Sequence, residues 1–231
     1  AYETEMKQLG FQTINCQNIC WVMTFGKDLS YNLRRSLTKL IGKKVYGESL
    51  ASGYSFASSL FPSVFDQKAG SAGVTTYDPS GAKALYKSEI AKLKDGRFPS
   101  GITLYYYDNG FIKPVVTDIV GHWQNKLSAF INIEQVSSAE ALLPELKKQS
   151  LSISIFPIEA ESKNLAEYLT KFGVNYNGEN LDSVQEKILE AKHITPLVFQ
   201  NTTLCCSSAI KEIYTTAGDG FVDFSFIVKQ E

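Results

Sequence analysis

Apolar positions along this chain recur with two periods, one suited to strands and one to helices. Residues 11–25 are apolar and β-prone, ending in Ile19-Cys20-Trp21-Val22-Met23, and predict one or two strands. From about Leu29 the period lengthens: Leu33, Leu37, Leu40 and Ile41 fall on one helical stripe, with Ser30 placed as its cap. Residues 47–76 show no sustained period and are rich in Gly, Ser and Ala, with Phe and Tyr interspersed. They read as a long ordered loop or a cleft wall, and such loops inside a compact domain are usually functional.

Asp78 as N-cap and Pro79 at the first helical position open the next helix. Ala82, Leu85, Tyr86, Ile90 and Leu93 make its buried face, and Gly96 is expected to stop it. Ile102 to Tyr107 is a strand closed by the turn residues Asp108-Asn109-Gly110. A helix follows from about Ile112 to Leu127, with Val116, Ile119, Val120 and Trp123 at helical spacing. Ala129 to Val136 reads as a strand, and Ser137 with Glu140 as the capping box of a short helix ending near Lys148.

Leu151, Ile153 and Ile155 alternate with serines, which is the period of a strand. Helices are expected over 164–172 and 181–192, then a strand from Ile194 to Phe199 and a last one through Val222, Phe224 and Phe226. The middle is thus β-α-β-α-β, the arrangement that makes parallel neighbours. The expected fold is α/β, a layered lobe with a mixed, largely parallel sheet flanked by helices, occupying 1–231 as one unit.

Composition narrows the function classes. The chain has 231 residues, is 44% hydrophobic and 20% charged, and carries a net charge of −1 with acids and bases interleaved. That gives no basic field to steer nucleic acid. No run of about twenty apolar residues spans a bilayer. Ala1 to Glu5 lacks the basic segment and apolar core of a signal peptide, and there is no initial Met. Cys16, Cys20, Cys205 and Cys206 have no zinc spacing, and a bridge between the two groups would need the chain ends to meet. Buried free thiols are the alternative.

Motifs for catalysis are missing. There is no G-x-S-x-G elbow, no phosphate-cradling glycine loop and no paired metal-binding histidines; His122 and His193 lie far apart. His122, beside Trp123, reads as structural. No catalytic residue, metal site or cofactor is expected. Among Tyr105, Tyr106 and Tyr107, Tyr107 is the one at the strand end where open α/β sheets collect ligands.

Several segments, in order, resemble the peptide/nickel-type solute-binding proteins of ABC importers. Arg34 to Lys43 is similar to the family's R-x-A-l-x-x-A-I-D-R, with Arg34 and Ile41 matching and Ser36, Leu40, Gly42 and Lys43 departing. Tyr77-Asp78-Pro79 with Ala82-Lys83-Ala84-Leu85 resembles y-D-P-x-x-A-K-x-L-L. Ile194-Thr195-Pro196-Leu197-Val198 is similar to i-I-P-L-y, and Phe221 to Ser225 to the closing g-x-x-D-F-S.

Members of that family are about twice as long, with two lobes that close on ligand. The resemblance implies that this chain is the C-terminal lobe, with an N-terminal lobe preceding Ala1 and residues from about 200 to 231 returning toward it. It also implies an oligopeptide or related small solute as ligand, an importer permease as partner, and an extracellular, cell-surface or periplasmic place, with lipoprotein anchoring of the full-length protein. Where the family carries W-x-x-D-Y-P-D-P, this chain reads Phe156-Pro157-Ile158-Glu159-Ala160-Glu161-Ser162. Phe156 would stand for the Trp and Glu159 or Glu161 would supply charge; two solvated glutamates before a helix remain the alternative. The wall of this lobe would be Tyr54 and Phe56 in Gly53-Tyr54-Ser55-Phe56, then Tyr107, Phe156, Glu159 and Glu161. The rival readings are an α/β hydrolase or transferase, and a surface-interaction module that has lost its ligand.

Overall fold

Alternation along the first strand divides the core in two. In a computed structural model, which describes residues 2–26, 29–65, 69–142, 153–191, 193–207, 210–212 and 228–229, β1 runs from Phe11 to Phe25. Trp21, Met23 and Phe25 point to one face and Cys20 and Val22 to the other, as a period of two requires. The first face is covered by α2 (Tyr31–Thr38), α3 (Lys43–Tyr46), α4 (Pro79–Ile90) and α5 (Lys113–Leu127). The second is covered by the loop carrying Leu60 to Phe65, by α6 (Leu165–Thr170) and by α7 (Leu181–Ala191). A short α1 (Tyr2–Gln8) precedes β1.

The other strands are β2 (Tyr54–Phe56), β3 (Thr103–Tyr107), β4 (Asn132–Val136), β5 (Ile153–Glu159) and β6 (Ile194–Ser207). They join β1 in one sheet of order β2-β6-β1-β5-β3-β4. A separate pair, β7 (Ile210–Glu212) and β8 (Val228–Lys229), lies near the end of the chain.

The sheet is mixed, as expected, but it is not largely parallel. Among the described residues, parallel pairing is confined to β3 with β4 and β3 with β5. The pairings β1 with β5, β1 with β6 and β2 with β6 are all antiparallel. The reason lies in the route of the chain: it enters the lobe along β1 and leaves along β6, so the two strands run in opposite senses. Beyond Gln17 and Asn201, among the described residues, they pair only with each other, from Phe11 opposite Ser207 to Gln17 opposite Asn201, and form a two-stranded ribbon.

Two bulges mark this ribbon and its root. One falls between Gln17 and Ile19, leaving Asn18 outside the ladder with β6; its carbonyl accepts from the Ala160 amide at 2.8 Å. The other falls where β6 pairs Val22 with Pro196 and Trp21 with Val198, skipping Leu197. Pro196 has no N–H to give a ladder, so a bulge beside it is a low-cost place to lose register. The carbonyl of Leu197 accepts instead from the Tyr46 hydroxyl at 2.8 Å and the Ala57 amide at 3.1 Å.

The capping chemistry read from the sequence is present. Ser30 accepts from the Leu33 amide, and Asp78 Oδ1 accepts from the Gly81 amide at 2.9 Å while Asp78 Oδ2 takes Lys39 Nζ at 2.9 Å. Asp108 Oδ1 accepts from Gly110 and Ile112, which turns the chain into α5. Two details differ. The hydroxyl that accepts from the Ala141 amide belongs to Ser138, not Ser137. α4 ends at Ile90 because residues 91–96 tighten into i→i−3 turns, and Gly96, at φ +57°, lies beyond it. The helix ending near Lys148, the strand position of Leu151 and the segment Phe221 to Phe226 lie outside the described residues.

The chain ends do meet, through β1 and β6, but the cysteines do not pair. Cys20 is a buried free thiol opposite Phe199, and Cys205 and Cys206 are free opposite Thr13 and Gln12. The register sets Cys16 opposite Thr202. Among the described residues no helix is long and apolar enough to cross a membrane.

Candidate functional site

Where β3 and β5 end beside the middle of β1 and the root of the ribbon, the sheet opens into a pocket of about 460 Å³. Its back is aromatic. Trp21, only 1% exposed, stacks on Tyr107 with ring centroids 6.3 Å apart and planes 7° from parallel. Strand alternation puts Trp21 on the α2–α5 face, and its position near the end of the sheet body leaves one edge toward the pocket.

A polar chain runs along one side. The Trp21 indole Nε1–H donates to Gln200 Oε1 at 3.0 Å, and Asn109 Nδ2 donates to the same oxygen at 3.2 Å and to the Tyr54 hydroxyl at 2.8 Å. Asn109 Oδ1 is buried and has no hydrogen-bond partner. Asn109 is one of the residues that line the pocket, and its Oδ1 is an acceptor of the kind a bound donor or an ordered water satisfies. Burial raises the pKa of Tyr54, whose hydroxyl therefore stays protonated at neutral pH.

The opposite side comes from the end of β5 and from two loops. Phe156, Pro157, Ile158 and Glu159 are all half-buried along it, with Ala139, Glu140 and Lys171 completing the rim. Glu159 Oε1 accepts from Asn18 Nδ2 at 3.1 Å, so the bulge in β1 positions this carboxylate. Lys171 pairs with Glu161, and that contact holds the Glu161 carboxyl below its ordinary pKa.

Of the six residues expected to form the wall, Tyr107, Phe156 and Glu159 border the pocket, but the Phe156 side chain is on the opposite face of the sheet from Trp21 and packs against the second core. Tyr54 sits at the rim, joined to it by Asn109, with its ring 5.5 Å from that of Phe111. Glu161 is exposed and reaches the pocket only through Lys171. Phe56 does not line it: two residues further along β2 than Tyr54, it packs against Tyr46, ring centroids 6.1 Å apart, inside the core.

Trp21, Asn109 and Gln200 were not singled out by the sequence. Trp21 sits in an apolar run that reads as core, Asn109 in a turn, and Gln200 just past an expected strand end. The signal for Asn109 is its place in the turn that follows the carboxyl end of a strand. His122 behaves as a structural residue, its Nε2 3.0 Å from the Tyr77 hydroxyl and its pKa lowered by burial and by Lys126. Among the described residues no three of His, Cys, Asp and Glu come together as a metal site.

No protein-family model matches the chain, and no curated protein matches it in sequence. Solved structures do match its fold. The pheromone receptor PrgZ, solved for its mode of peptide binding, superposes with a TM-score of 0.72 at 12% identity, over 100% of this chain and 52% of its own. OppA of Listeria monocytogenes, bound to peptide, gives 0.64 at 16% identity over 100% and 52%. NikA of Staphylococcus aureus, in complex with Ni(L-His)2, gives 0.64 at 10% identity over 99% and 55%. The whole chain thus has the fold of part of these binding proteins and spans about half the length of each.

Proposed function

We propose that this chain is the C-terminal lobe of the substrate-binding component of an ABC importer, closing with a second, N-terminal lobe on an oligopeptide or related small solute. The observation that carries the reading is the open pocket formed by Trp21, Tyr107, Phe156 and Glu159 at the root of the β1–β6 ribbon. A pocket with one aromatic wall, one polar chain and, among the described residues, no opposing surface suits a ligand held from two sides.

Each lining group has a role in that reading. Trp21 and Tyr107 give an apolar wall that Phe156 borders, Asn109 Oδ1 accepts from a ligand N–H, and Glu159 offers charge to a cationic group such as a peptide's amino terminus. Tyr54 at the rim and Glu161 through Lys171 bound the ligand's path. A pocket of this size leaves space for water around side chains of different length. The ribbon connects the lobes, β6 running out along it to Ser207, so closure is a hinge motion and affinity depends on both lobes. The protein acts outside the cytoplasm, at the cell surface or in a periplasm, anchored as a lipoprotein, and delivers its cargo to a membrane permease. It is a receptor and not an enzyme.

Calorimetry with peptides tests this. The isolated chain is expected to bind weakly or not at all, and the same chain joined to its N-terminal lobe is expected to bind tightly. Tight binding by the chain alone would overturn the reading, as would reproducible hydrolytic turnover lost on a point mutation.

A further inference from the structure

At the opposite end of β1 and β6 from the cleft, the lobe holds a second pocket of about 260 Å³. Phe25, the last residue of β1, and Ile194, the first of β6, give it an apolar floor together with Leu189 of α7. Its charged groups come from two sides: Arg34 and Arg35 from α2, and Glu186 and Glu190 from α7, one turn apart on the same face, with His193 beside them.

Arg34 is the unusual member. Its Nε and Nη1 are buried and have no hydrogen-bond partner, and among the described residues no carboxylate pairs with it. A guanidinium stays charged at any physiological pH, and buried donors left without acceptors are costly. Its neighbour Arg35 does not share the deficit, since its Nη1 is 3.3 Å from the Tyr31 hydroxyl and its guanidinium lies over the Tyr31 ring.

The pocket is a built feature. Gln185, fully buried, accepts from the Leu60 amide at 2.7 Å and donates to the Gly70 and Ala72 carbonyls at 3.1 and 2.7 Å. These bonds clamp the 69–75 loop onto α7. Gly73 takes φ +75°, and a Cβ there would meet Glu186 Cα at 3.0 Å. The loop can pass this close to the helix only with glycine at that position.

From this we propose that the pocket binds a free α-amino acid or a similar small zwitterion. The carboxylate pairs with the Arg34 guanidinium, the ammonium faces Glu186 and Glu190, and an aliphatic side chain lies on Phe25, Leu189 and Ile194. A plain anion would confront two glutamates, and a plain cation would leave Arg34 unpaired. The volume falls just short of the roughly 300 Å³ at which pockets begin to hold drug-sized ligands, which favours a single amino acid over a peptide. The site is independent of the cleft.

Titration of the isotope-labelled chain with L-leucine, followed by the Arg34 side-chain N–H resonance and by calorimetry, tests the proposal. Leucine is expected to shift the Arg34 signal saturably while the Trp21 indole signal in the cleft stays still. Isocaproate, which lacks the ammonium, and isoamylamine, which lacks the carboxylate, should each bind about tenfold more weakly or worse. Arg34→Met, which keeps the apolar stem, should weaken leucine binding by a similar factor. The absence of a saturable shift at Arg34, equal binding of isocaproate, or a response at Trp21 in place of Arg34 would overturn it.

Discussion

Trp21 and Tyr107 lie face to face across the end of β5, their planes 7° from parallel and their centroids 6.3 Å apart. The pair joins two strands that are not neighbours in the sheet. Because the indole N–H also reaches Gln200, one side chain fixes both the aromatic back and the polar side of the cleft. Trp21→Phe keeps a ring but removes the donor, leaving Gln200 Oε1 to Asn109 alone. The expected loss is about 1–3 kcal/mol of folding stability, read from urea denaturation midpoints. An unchanged midpoint would show that the N–H contributes nothing net.

Gln185 is a buried amide of the lobe's second face that makes three hydrogen bonds. Gln185→Leu fills a similar volume but strands the Leu60 amide and the Gly70 and Ala72 carbonyls. The expected cost is about 2–5 kcal/mol, with loss of hydrogen-exchange protection at the Leu60 amide. Protection retained at Leu60 would mean that another acceptor had replaced the glutamine.

Ser128 ends α5 in the left-handed region at φ 54°, donating its amide to the Gln124 carbonyl. The side chain is exposed, so glycine loses little there and gains the conformation without strain. Ser128→Gly is expected to stabilise the lobe by about 0.5–1 kcal/mol, visible as a higher Tm. A lower Tm would indicate a role for the hydroxyl.

The pH dependence has one well-defined contributor. Glu89 is pulled down to about 2 by hydrogen bonds from Ser30, Lys92 and Asn32. A depressed carboxyl contributes stability that is complete above its ordinary value of 4.5 and is lost as the pH falls toward 2. In melts across that window, Glu89→Gln should give a shallower acid limb than the natural sequence. Parallel limbs would remove Glu89 from the account. Its partly solvated position keeps the effect modest.

For the cleft, Tyr107→Ala and Glu159→Gln in the two-lobed protein should weaken peptide binding by about tenfold or more, measured by calorimetry. Phe56→Leu should lower Tm and leave affinity unchanged, because Phe56 packs on Tyr46. A larger affinity loss for Phe56→Leu than for Tyr107→Ala would refute this division of roles.

Much of the lobe could be read from the chain because its elements obey local rules. Ser30 and Asp78 cap as their chemistry dictates, and the stripe Leu33, Leu37, Leu40 and Ile41 is buried where its period places it. What escaped was set by distant partners. β6 runs on to Ser207 only because β1 lies beside it, and β2 is three residues long only because β6 offers it an edge. The same holds for the site: Tyr107, Phe156 and Glu159 follow strand ends, whereas Asn109 and Gln200 become lining groups through bonds between residues 91 positions apart.

The displaced carbonyl of Leu197 has a wider effect than its size suggests. It accepts from a phenol 151 positions earlier in the chain and from the amide that follows β2, so α3, the edge strand and the second bulge share one oxygen. Burial raises the pKa of that phenol far out of reach, so no ordinary pH releases the knot by ionisation. Loosening any of the three segments costs the other two a bond. The interior of the lobe should therefore exchange its amide protons as one cooperative block, and what yields first under load should be the ribbon.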